Sequence, residues 1–94
     1  MNAIAPYRSA PPVRHLGLFV VLRAHEDGRH EYLLCARGLT AVREYIESLG
    51  MSLDKPFSQV KDEFGRWIFT AEPNGRGFPR QYIAQELIEP SEDA

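Results

Sequence analysis

The stretch that most constrains this chain is "LGLFVVL", Leu16 to Leu22. In an extended conformation, alternate residues point to opposite faces, and here both faces are apolar. A strand from Leu16 to Arg23 must therefore lie centrally in a sheet or be covered on both sides. At seven residues, the run is far short of the roughly 20 that a membrane-spanning helix needs.

A second strand is expected at Glu31 to Arg37, paired with the first through the turn "HEDGRH". Gly28 supplies the positive φ that tight hairpins require and that a Cβ disfavours. The segment "LTAVREYIESLG" then changes period. Val42, Tyr45, Ile46 and Leu49 share one helical face, Thr40 is positioned as an N-cap, and Gly50 stops the helix.

The second half echoes the first in its letters. "REYI" at Arg43 to Ile46 and "RQYI" at Arg80 to Ile83 are separated by a shift of 37 residues, and the same shift superposes Glu26 on Glu63, Gly28 on Gly65, Arg29 on Arg66 and Gly38 on Gly75. Self-similarity of this kind signals a unit used twice. On this basis Phe57 to Lys61 and Arg66 to Ala71 form a second strand pair, and Pro79 to Glu89 forms a second helix, with Ile83, Ala84, Leu87 and Ile88 on one face. The rival is a further strand after a hairpin at "PNGRG", because Asn-Gly is a strong turn signal; the repeat decides for the helix. The predicted fold is α+β: two β-β-α units, 16–50 and 56–89, in one antiparallel sheet with both helices on one face. A loose arm over 1–14 and an acidic tail over 90–94 flank a single domain at 15–89.

Size and composition fit one domain, with 94 residues of which 44% are hydrophobic. The N-terminal "MNAIAPYRSAPP" lacks the charged start and apolar core of a secretory signal, which makes the cytoplasm the expected location. A net charge of -2 argues against binding nucleic acid by bulk electrostatics. Cys35, the single cysteine, is expected to be a small, buried and inert residue of an apolar strand. His25 and His30 flank the first turn with Glu26, Asp27 and Glu31 nearby, but their spacing matches no familiar metal site, and His15 is expected at the surface. No nucleophile elbow or phosphate loop is present. Neither an enzyme, a metal, a cofactor nor a small-molecule substrate is expected.

Binding is the remaining class. The loop "EPNGRGFPRQY" offers Arg76, Phe78 and Arg80, and the hairpin "FGRWIF" offers Arg66 and Trp67. Arginine and aromatic side chains dominate protein-protein hot spots and also stack on bases and grip phosphates. With an acidic chain, the leading expectation is a non-enzymatic adaptor acting through a protein-protein interface, including association with a second copy. The alternative is a nucleic-acid-binding module using the same five residues.

Overall fold

A computed structural model describes residues 13–90. The elements run β1 (Val13–Ala24), β2 (His30–Arg37), α1 (Gly38–Ser48), β3 (Met51–Ser52), β4 (Gln59–Lys61), β5 (Trp67–Pro73) and β6 (Arg80–Pro90). All strand pairs are antiparallel. The sheet order is β2-β1-β6-β5, and the outer edge of β5 carries β4 at its start and β3 at its end.

The β1 expectation holds: the apolar run lies between β2 and β6. The second helix does not exist. Arg80–Pro90 is a strand, and it occupies the centre of the sheet between β1 and β5. Its sequence places Tyr82, Ile83 and Ala84 in succession, and all three are buried. A surface helix buries one stripe, whereas a central strand buries consecutive residues on both faces, and pairing on both sides outweighs the helical spacing of Ile83, Ala84, Leu87 and Ile88. The architecture is therefore a mostly antiparallel sheet with a single helix, and not two β-β-α units. The internal repeat fails as an architectural feature for the same reason, since Arg43 to Ile46 is helix and Arg80 to Ile83 is strand.

What the two halves do share is a turn. His25 N–H donates to the Arg29 carbonyl and Gly28 N–H to the His25 carbonyl; Asp62 and Gly65 repeat both bonds with Arg66 and Asp62. Gly28 at φ 88° and Gly65 at φ 82° take the left-handed position of this three-residue hairpin loop. The sequence likeness reports a common turn chemistry and extends no further.

Helix α1 packs against β1, β2 and β3. Val42 and Ile46 are fully buried, and Tyr45 lies against the core, but Leu49 is 43% exposed and leaves the expected face. Thr40 is not the N-cap: the helix begins at Gly38 with Arg37 in that position and no side-chain cap. The core beneath α1 is built from Phe19 and Val21 of β1, Ala36 of β2, Phe69 and Ala71 of β5, Tyr82 and Ala84 of β6, and Met51 and Leu53. Arg43 Nη1 donates to Gln59 Oε1 at 2.7 Å and ties the helix to β4. Among the described residues, one buried side-chain group is unsatisfied: the Tyr82 hydroxyl has no hydrogen-bond partner.

Val13 and Arg14 belong to β1 and Pro90 to β6, so the strands begin inside the expected arm and reach the expected tail. The rest of those two segments lies outside the described residues. Among the described residues, no helix is long and apolar enough to cross a membrane.

Candidate functional site

Strand alternation and register sort the sheet into two faces. One is the core face under α1. The other carries no covering element among the described residues. Across it, Tyr32, Leu22, Ile83, Ile68 and Val60 stand in register on five adjacent strands. Along β1, Leu18, Val20 and Leu22 add to the same face. A bulge at Leu33 keeps β2 in step, since Val21 pairs Leu34 while Leu22 pairs Tyr32. Ile83 is 5% exposed yet stands outside the core cluster, because its apolar neighbours on the open face cover it. The remaining positions on this face are His30, Cys35, Arg37, Ala24, Gln81, Gln85, Leu87 and Thr70, with Glu72 late in β5 and the Arg14–Glu89 pair where β1 begins and β6 ends, so its carboxylates lie away from the apolar row.

The five residues singled out from sequence are divided by the fold. Arg66 and Trp67 stand at the start of β5, while Arg76, Phe78 and Arg80 belong to the loop and strand after its end. Trp67 pairs Ala84 and Ala71 pairs Arg80; four residues of strand separate the two groups by about 13 Å. Arg66 is also engaged, with its Nε 2.7 Å from Asp62 Oδ2 and its guanidinium over the Phe64 ring. Partial burial pushes the Asp62 carboxyl up, but hydrogen bonds from the Arg66 backbone and guanidinium and from the Phe64 N–H prevail and hold it below the usual carboxylate range. Trp67 is half-buried against the core, with Lys61 Nζ 5.5 Å from its ring centroid.

At the other end, the β5–β6 loop meets the β1–β2 turn around a cleft of about 560 Å³. Arg76, Phe78 and Arg80 line it together with Arg23, a residue that sequence reasoning passed over, and His25 and Glu26. Its one signal was a charge placed directly after the apolar run of β1. The loop is fastened by Asn74 N–H donating to the Gly50 carbonyl at 2.9 Å. Phe78 is 83% exposed.

His25 Nε2 lies 2.7 Å from Glu31 Oε1, and this hydrogen bond lowers the Glu31 carboxyl below its ordinary value. His15 Nδ1 contacts Glu86 Oε1 at 3.1 Å on the exposed side of β1. Among the described residues, no three His, Cys, Asp or Glu side chains converge as a metal site. Cys35 is not the buried residue expected: it is an exposed free thiol on the open face of β2. Comparison with protein-family models, with curated proteins and with solved structures found no match.

Proposed function

We propose that this chain is a non-enzymatic protein-interaction module whose uncovered sheet face packs against the same face of a second copy. The observation that carries this reading is the apolar row Tyr32, Leu22, Ile83, Ile68 and Val60, continuous over five strands. A contiguous exposed apolar surface of this kind marks an interaction site, and two sheets pack face to face about 10 Å apart with their strands nearly aligned.

Charge supports a second copy as the occupant. An isologous interface sets one surface against itself, so fixed charge on it repels. The apolar row itself carries no charge, the carboxylates at the two ends of this face, Glu72 and Glu89, are paired with Lys55 and Arg14, and Arg37 at the β2 edge is left without such a partner among the described residues. A twofold axis along the strands lays the β2 edge of one copy over the β4 edge of the other. That arrangement brings Arg37 toward the β4–β5 hairpin, where Glu63 is exposed. Neither has an ion-pair partner in its own chain among the described residues.

A cytoplasmic setting is consistent with the exposed free thiol of Cys35. The nucleic-acid alternative draws less support, because the hairpin and loop arginines do not share a surface.

Sedimentation equilibrium tests the reading. The chain is expected to dimerise reversibly, and Leu22→Glu is expected to give a folded monomer by placing a carboxylate against its symmetry mate. A monomeric wild type at high micromolar concentration, or a dimer indifferent to Leu22→Glu, would contradict it.

A further inference from the structure

The cleft at the end of the sheet is a separate surface, and its chemistry differs from that of the open face. Eight arginines fall among the described residues. Arg14, Arg29 and Arg66 are held in ion pairs, and Arg43 donates to Gln59. Arg23, Arg37, Arg76 and Arg80 have neither kind of partner among the described residues. Three of these four line the same cleft. They reach it from β1, from the β5–β6 loop and from the start of β6, so the clustering is a product of the tertiary fold and not of local sequence. The carboxylate lining the cleft is Glu26, and the nearby Glu31 is bound by His25. The positive charge therefore exceeds the negative by about two, by simple count of side chains ionised at neutral pH.

We infer that this cleft binds a small phosphate ester carrying a flat ring, of the kind a free nucleotide presents. Guanidinium groups offer planar forks of donors that match phosphate oxygens in pairs, and a polyphosphate supplies enough oxygens to satisfy three such forks at once, which a single carboxylate does not. The volume of about 560 Å³ falls within the range of small-molecule sites, roughly 300 to 1,000 Å³. Phe78 stands on the rim, 83% exposed among the described residues. An exposed phenyl ring two residues from both Arg76 and Arg80, lining the same cleft, is suited to stack on a planar ring whose phosphates those arginines hold. The concave shape favours a free ligand over a polymer, whose backbone needs an open track.

Isothermal titration calorimetry on the full chain, at low and physiological salt, separates the parts of this inference. Pyrophosphate probes the arginines alone, ATP probes arginines and ring together, and citrate and a short 5′-phosphorylated single-stranded oligonucleotide serve as rivals. Saturable one-to-one binding of ATP is expected, about tenfold tighter than pyrophosphate, the ratio that one stacked ring supplies. Phe78→Ala is expected to erase that ratio while leaving pyrophosphate unchanged. The double change Arg76→Gln with Arg80→Gln is expected to abolish both, and Leu22→Glu, on the other surface, to affect neither. Citrate binding as tightly as pyrophosphate, an oligonucleotide binding more tightly than ATP, or ATP binding that survives the double arginine change would each overturn the assignment. So would the absence of saturable binding of ATP.

Discussion

The two faces of this sheet are built from neighbouring residues and meet different fates. On β1, Val21 is fully buried beneath α1, while Val20, one residue earlier, points to the face that no element covers. On β6, Ala84 joins the core and Ile83 stays outside it. Both faces are apolar, yet the described residues supply a single helix to cover them. The contrast teaches that burial beneath the helix accounts for one half of the apolar pattern, and that the other half is what the proposed association would cover.

The largest test of the covered face is Phe69→Ala. Its ring is fully buried at the centre of the core, and its removal is expected to cost about 3–5 kcal/mol. Next is Ile46→Ala in α1, with an expected cost of about 2–5 kcal/mol. A loss below about 1 kcal/mol in reversible denaturation would show that the helix does not seal the sheet. Sharpening the comparison directly, Val20→Ala is expected to destabilise the monomer less than Val21→Ala, and to weaken dimerisation where Val21→Ala does not. Equal effects of the two valines on both measurements would break it.

Sequence made one face readable and obscured the other. The apolar period of β1, the helical period of Val42, Tyr45 and Ile46, and the glycine turns are local signals, and they are found where the residues indicated. The central strand was misread because Arg80–Pro90 also satisfies a helical spacing, and the choice is made by β1 and β5, which lie far away in sequence. Asn74-Gly75 was the correct local cue, outweighed by a coincidence of letters with Arg43 to Ile46. The cleft was half legible: Arg76, Phe78 and Arg80 share one loop and the strand after it, but Arg23 joins them through strand pairing alone.

Smaller effects follow at the edges. Asp62 has a folded-state pKa below its unfolded value. Its contribution to stability is therefore complete above the unfolded value of about 3.9 and is lost as pH falls through the lower folded value. Asp62→Asn is expected to flatten that part of the acid transition and to release Arg66 from the hairpin. An acid limb identical to wild type would show that the hairpin bonds are not formed in solution. Smallest of all is Tyr82→Phe. It removes a buried hydroxyl that has no partner among the described residues, so it is expected to be neutral or slightly stabilising, within about 0.5 kcal/mol. A loss of 1 kcal/mol or more, on the order of one hydrogen bond, would mean that the hydroxyl finds a partner after all.

The most direct test of the open face as an interface between copies is an isotope-filtered NMR experiment on a mixture of methyl-labelled and unlabelled chains. Cross-copy contacts from the methyls of Leu22, Ile68 and Ile83, and none from Val42 or Ile46, are the expected result. Cross-copy contacts confined to the helix side, or absent at concentrations where the chain is dimeric, would contradict it.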